Sequence, residues 1–234
     1  MPTRIAVLAS GRGSNLRALL DHLAREDHGT HARVALVASD RADAGALALA
    51  RERGIEGAAL DMGPAHEEGL ERLLRDSGAE LVVLAGYLKL VPGAVTRAWR
   101  GRIVNVHPAL LPAFGGRGMY GMRVHRAVLA AGARVSGATV HFVDELYDHG
   151  VTIAQWPVPV FGGDTPETLA ARVLRVEHLL LPRAVAALAA GRVDLGEDGR
   201  VHGALDAPDP LAAFVRAPRD EHALARSMEA ALFG

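Results

Sequence analysis

The chain has 234 residues, with 26 Lys and Arg against 27 Asp and Glu, a formal charge of −1 and an isoelectric point near 6.8. That length allows one large domain or at most two small ones, and the near-neutral balance lacks the basic excess of a nucleic-acid binder. Zero cysteines exclude cysteine nucleophiles, thiolate metal sites, iron–sulfur clusters and a disulfide scaffold, while the lack of any apolar run near a membrane span or of a signal-peptide layout leads us to expect a soluble, cytoplasmic protein.

Residues 4–9 form a short apolar run ended by Ser10 and Gly11, the mark of a strand buried on both faces. Leu16, Leu19, Leu20 and Leu23 then recur at i, i+3, i+4 and i+7, so 14–25 is read as an amphipathic helix. A second buried strand at 33–38 and an Ala-rich helix at 43–53 follow. A helix carrying Leu70, Leu73 and Leu74 precedes strands at 80–85 and 102–106. This alternation predicts an α/β fold with a mostly parallel, mixed, Rossmann-like sheet and helices on both faces. The segments 135–143 and 151–160 are too close for a crossover helix and are expected to pair antiparallel. Asp164, Thr165, Pro166 and Glu167 open a long helix running to about residue 190. The domain is placed at 1–190. Residues 191–234 are read as a loop-rich extension packed on it and ending in a helix near 221–232.

Four places carry candidate chemistry. Gly11, Arg12, Gly13, Ser14 and Asn15 join a strand to a helix, where glycines and the helix N-terminus suit a phosphate. A plain turn capped by Ser14 is the alternative. The dinucleotide fingerprint fails because Leu16 stands where its third glycine belongs, and no Walker lysine follows. Asn105 ends an otherwise apolar strand with His107 two residues on, so that a carboxamide and an imidazole share one side. A satisfied histidine at an ordinary strand end competes with that reading. The connection holding Asp144, Glu145, Leu146, Tyr147 and Asp148 is either a plain turn or a pocket-lining loop that offers Asp148 to a histidine. Glu177 falls close to the apolar face of the long helix, as a site carboxylate or a rim salt bridge. The chain contains only two Asn, Asn15 and Asn105, and both sit in these motifs. No metal-ligand spacing is evident among its 11 histidines.

Taken in order, Gly11-Arg12-Gly13-Ser14-Asn15, Leu84-Ala85-Gly86-Tyr87, Asn105-Val106-His107-Pro108-Ala109-Leu110-Leu111-Pro112, Gly137-Ala138-Thr139-Val140-His141-Phe142-Val143 and Val176-Glu177-His178 resemble the phosphoribosylglycinamide formyltransferases, folate-dependent enzymes of purine synthesis. The resemblance implies formyl transfer from 10-formyltetrahydrofolate, acting as cosubstrate, to the amine of glycinamide ribonucleotide, without a metal. Carried over by position, it implies Asn105, His107 and Asp148 as catalytic residues. Gly13, Ser14 and Asn15 become the phosphate loop, Glu177 the ribose contact, and Leu88, Lys89, Leu90, Val91 and the run from Asp144 to Asp148 the folate pocket. Two small-molecule partners follow, with no nucleic acid and no membrane, and with monomer and homodimer both open.

Three departures from the pattern stand out. The stretch 113–122 is long and rich in glycine, read as a lid or an altered loop. Tyr147-Asp148-His149-Gly150 replaces a more usual acidic, glycine-rich turn, and 63–68 holds no Arg to meet a folate tail. Rival readings are a formyltetrahydrofolate hydrolase, a tRNA formyltransferase, and a non-catalytic folate or nucleotide binder on the same fold. The first two commonly carry extra domains for which this sequence offers no counterpart, and the third predicts loss of Asn105, His107 or Asp148.

Overall fold

The computed structural model describes residues 1–25, 32–203 and 205. In chain order they form β1 (Thr3–Leu8), α1 (Ser14–Arg25), β2 (Ala32–Ser39), α2 (Gly45–Glu52), β3 (Glu56–Ala59), α3 (His66–Asp76), β4 (Leu81–Leu84), α4 (Gly93–Ala98), β5 (Ile103–His107), α5 (Met122–Ala130), β6 (Val135–Phe142), β7 (Thr152–Pro159), α6 (Pro166–Ala189), β8 (Val193–Leu195) and β9 (Val201–Gly203). Seven strands make one sheet in the order β3-β2-β1-β4-β5-β6-β7. The first five are parallel, whereas β6 runs antiparallel to both β5 and β7.

Two apolar layers sandwich the sheet, because its central strands are buried on both faces. Val7, Val83 and Val104 face a layer that includes Leu16 and Leu19 of α1 and Leu169, Val173 and Leu181 of α6. Leu8, Val82 and Ile103 face Leu70 and Leu74 of α3, Val95 of α4 and Trp99 just after it. The sheet runs outward to either side from the β1–β4 pair, and in such sheets the crevice beyond the carboxyl ends of the strands is where ligands bind.

The apolar runs and helical periodicities locate β1, α1, β2, α2, α3, β4, β5, β6, β7 and α6 to within a few residues. The start of α6 has a physical cause: the Thr165 hydroxyl accepts from Thr168 N–H while Thr168 Oγ1 accepts from Thr165 N–H, closing a capping box. Asp164, ahead of that cap, instead binds Arg172 in an ion pair at 2.7 Å. Sequence patterns do not reveal β3, α4 or α5. Within the stretch read as a loop-rich extension, β8 and β9 pair as a hairpin, with Val193 in the core and Leu195, Val201 and Leu205 packed against it. The helix expected near 221–232 lies outside the described residues.

Candidate active site

A cavity of about 910 Å³ opens at the carboxyl ends of β1, β4 and β5, lined among others by Gly11, Asn15, Asn105, His107, Asp148 and Glu177. Residues from the four separate motifs therefore meet in one crevice. The β1–α1 turn is fixed by packing as well as by φ: Gly13 has φ +81°, and a Cβ there would lie 2.9 Å from Ala46 Cα of α2. Gly13 is not part of this cavity's lining; it lets the loop approach α2, where Ala46 N–H donates to Gly11 O at 3.1 Å. Ser10 ties this turn to the end of β4 by accepting from Leu88 N–H at 3.0 Å.

The catalytic candidates come from β5, β6 and the β6–β7 connection. His107 is 3% exposed. Its Nε2 lies 2.9 Å from Phe114 O, and its Nδ1 lies 3.4 Å from Asp148 Oδ1, within ion-pair reach but longer than a good hydrogen bond. Both ring nitrogens thus face oxygen acceptors, a setting that only the doubly protonated ring can satisfy on both sides. Asp148 also accepts from Gly116 N–H at 3.0 Å through Oδ2. Burial pushes the Asp148 carboxyl up, but His107, Gly116 and His141 together outweigh it and hold the group below its ordinary value. The residue has φ +54°, a left-handed conformation that costs a non-glycine residue on the order of 1 kcal/mol or more. The fold therefore holds this carboxylate in place against a backbone preference.

His141 is a participant that strand patterning does not reveal. The antiparallel register pairs it with Asn105 across β5 and β6, so the two side chains share a face. Its Nδ1 sits 2.8 Å from Phe142 O, which places the ring proton there and leaves Nε2 to accept from Asn105 Nδ2 at 3.0 Å. Burial depresses its pKa, partly opposed by the Phe142 carbonyl and by Asp148, so the ring is held neutral. The second amide hydrogen of Asn105 is only loosely engaged, with Asp148 Oδ1 at 3.5 Å. It stays ready for an incoming oxygen.

At the other end of the cavity, Asn15 Nδ2 donates to Glu177 Oε2 at 2.7 Å, both residues being buried. Burial raises the Glu177 carboxyl above its usual value, and donation from Asn15 works against that shift. Among the described residues Asn15 Oδ1 has no hydrogen-bond partner, and neither do Tyr87 Oη or His125 Nδ1, which belong to other residues lining the cavity. Buried polar atoms in folded chains are nearly all paired, so three such atoms on residues lining one cavity suit it to a polar ligand. His125 of α5 is a second residue that sequence patterns miss; burial, together with nearby His107, lowers its pKa to about 4.

Leu88, Lys89, Leu90 and Val91 line the cavity, as do Leu146, Tyr147 and Asp148. Asp144 and Glu145 do not. Asp144 caps the connection through Leu146 N–H at 2.9 Å and pairs with His149 at 2.6 Å, and Glu145 pairs with Arg97. Their side chains hold the loop's shape. The glycine-rich stretch forms a roof, with Gly116, Arg117, Gly118, Met119 and Tyr120 over the cavity and Phe114 and Gly116 bonded to His107 and Asp148. Among the described residues, no group of three or more His, Cys, Asp or Glu is placed to hold a metal ion.

Comparison with known proteins agrees with this geometry. The formyl transferase family model matches residues 3–185. A Vigna unguiculata protein named phosphoribosylglycinamide formyltransferase, chloroplastic, is 44% identical over 201 residues, which cover 84% of this chain and 64% of the relative. The chain thus spans just under two thirds of that relative's length. The glycinamide ribonucleotide transformylase 1 structure from Symbiobacterium toebii superposes with a TM-score of 0.78 at 42% identity, covering 88% of this chain and 95% of that one. A formyltetrahydrofolate deformylase from Pseudomonas syringae gives 0.76 at 25% identity, over 86% of this chain and 65% of that one.

Proposed function

The chain belongs to the formyl transferase family, and from that premise we propose that it moves a formyl group from 10-formyltetrahydrofolate to the amine of glycinamide ribonucleotide, a step of purine synthesis. The observation that carries the proposal is the joining of Asn105, His107, Asp148 and His141 at one end of a cavity whose other end holds the buried Asn15–Glu177 pair. The deformylase likeness means that the fold alone does not choose between an amine and water as acceptor. The buried acceptors Asn15 Oδ1 and Glu177 favour a hydroxyl-bearing ligand beside the β1–α1 turn, where a ribose would extend from a phosphate at Ser14.

The neutral amine attacks the formyl carbon, a C–N bond forms, and the carbonyl oxygen gains negative charge. The free Asn105 amide hydrogen and the His107 Nδ1 proton, both only loosely engaged by Asp148 at 3.5 and 3.4 Å, are the donors offered to that oxygen. Losing one such donor costs about 2.7–4 kcal/mol of barrier. The bond to the folate nitrogen then breaks. The amine gives up one proton and the folate nitrogen takes one, so a relay through His107 and Asp148 ends with both groups restored. His141 acts as a positioning residue, since its neutral Nε2 turns the Asn105 amide nitrogen toward the reaction.

Leu88, Lys89, Leu90, Val91, Leu146 and Tyr147 give the folate an apolar slot with one cation at its rim. Residues 1–190 carry the activity, and the rest is an extension. A cytoplasmic home belongs to the same reading, supported by a chain with no cysteine. The test offers 10-formyltetrahydrofolate with glycinamide ribonucleotide, with water alone and with charged initiator tRNA. Tetrahydrofolate is expected to form only with the ribonucleotide, and equal turnover in water alone would make the protein a hydrolase.

A further inference from the structure

A second depression, of about 670 Å³, lies between α1 and α6, and Arg12 and Leu174 line both it and the main cavity. Its walls carry Arg12, Arg17, Arg25 and Arg183, with Ser14 at the end nearest the β1–α1 turn. The guanidinium groups of Arg12, Arg17 and Arg25 form no hydrogen bond or ion pair among the described residues. The carboxylate there, Asp21, already binds Arg53 at 3.0 Å. His178, on the same wall, buries an Nε2 that has no partner among the described residues. Among the described residues that line the groove, four arginines against one engaged carboxylate make a concentrated positive field, and the unpartnered nitrogen belongs to the same lining.

The order of groups along this surface matters. Glu177 and Asn15 line the main cavity, Arg12 stands at the junction, and Ser14, Arg17, His178 and Arg183 continue outward. A monophosphate seated at the turn would leave most of the groove unused. We propose that the groove is an anion site continuous with the turn, and that it binds the distal phosphates of a di- or triphosphate whose first phosphate sits at Ser14. Bound this way, the polyphosphate competes with the ribonucleotide substrate. The inference rests on reading the turn as a phosphate cradle, and it adds a regulatory ligand class to that site.

The test is titration calorimetry of the full chain with inorganic phosphate, inorganic tripolyphosphate and adenosine triphosphate, none of which requires formyl transfer. Tripolyphosphate is expected to bind at least about tenfold more tightly than phosphate. The Arg17→Gln, Arg183→Gln pair lowers tripolyphosphate affinity by about tenfold or more and leaves phosphate affinity within about twofold. Arg17→Gln alone, at an exposed position, gives a partial loss in the same direction and guards against a folding failure of the pair. A control pair far from the groove, Arg51→Gln with Arg100→Gln, changes nothing. Adenosine triphosphate binding more tightly than tripolyphosphate, with the excess removed by Glu177→Gln, identifies a nucleotide as the source. Equal affinities identify an inorganic polyphosphate. The proposal fails if tripolyphosphate binds no better than phosphate, or if the control pair weakens it as much as the groove pair. A chain that binds tripolyphosphate as described but shows no transfer to glycinamide ribonucleotide would overturn the proposed activity and leave the groove standing.

Discussion

The two ends of the cavity are built on opposite principles. At the β5–β6 end, the polar groups find partners inside the protein: His107 with Phe114 O and Asp148, His141 with Phe142 O and Asn105, Asp148 with Gly116 N–H. At the β1–α1 end, Asn15 Oδ1 and the guanidinium groups of Arg12, Arg17 and Arg25 in the adjoining groove have no partner among the described residues. Groups that act on a transition state gain from being held in advance, because reorganisation during the reaction is then avoided. Groups that recognise a ground-state ligand need open valences instead, since the ligand completes them. The difference predicts that changes at the first end strike turnover, whereas changes at the second strike affinity.

The largest effect is expected at the first end. Asp148→Asn keeps the shape and removes the charge that faces His107, and kcat is expected to fall by roughly 10³–10⁴ with KM little altered. His107→Ala should match it. The double variant should be little worse than the poorer single one, because groups acting as a unit are not additive. Additive losses would break the idea of one preassembled cluster.

His141→Leu sharpens the comparison. It touches no substrate in this scheme, yet it frees the Asn105 amide to rotate, and kcat should fall by about 10²-fold, the scale of one oxyanion donor. His141→Gln restores an acceptor for Asn105 and should recover part of the loss. A purely structural role would give lowered stability without that rescue.

How visible each end is in the sequence follows from how far each contact reaches along the chain. The β1–α1 turn, the Asn105–His107 pair and the start of α6 are legible because strand ends, i+2 spacing and capping chemistry are local. His141 is hidden because its role depends on β5 pairing antiparallel with β6, and 27 residues that include α5 separate Asn105–His107 from the start of β6. β3 is hidden because it is a four-residue edge strand, Glu-Gly-Ala-Ala, with no buried residue to imprint a pattern. α5 begins after Gly121 with no side-chain cap, at the end of a glycine-rich stretch that reads as loop. Asp144 and Glu145 fit the acidic turn expected of a pocket wall, and only their partners His149 and Arg97 show that they brace the loop.

At the second end, Glu177→Gln is expected to raise KM for the ribonucleotide by about tenfold while kcat stays within about twofold. The same change reports on stability. Burial raises the folded pKa of Glu177 above its unfolded value, so the contribution of this group to stability is fully present below the unfolded pKa and is lost as pH rises through the folded one. Glutamine never ionises. Its melting temperature should therefore gain on that of the wild type as pH climbs, and a difference between the two that stays constant with pH would show that Asn15 and Glu177 are not sealed from solvent.

The smallest effect belongs to His125, between the two ends on the cavity wall. The residue is 4% exposed, its pKa is lowered from 6.5 to about 4, chiefly by burial, and its Nδ1 has no partner among the described residues. The folded state holds the neutral ring. Its stabilising share is present above the unfolded pKa near 6.5 and is lost as pH falls toward about 4, because the unfolded chain takes up the proton first. His141 and His178 are shifted in the same direction by burial, so the wild-type melting temperature should drop steadily through this window. His125→Leu fills similar space, removes one titration and should flatten that drop by a few degrees, on the scale of roughly 2–4 °C per kcal/mol for a chain of this size. Activity at neutral pH should change less than in any variant above, since neither end of the cavity loses a bond. If instead His125→Leu lowered kcat as severely as His141→Leu, the buried ring would belong to the preassembled end, and the division between a satisfied catalytic cluster and an open binding wall would have to be redrawn around α5.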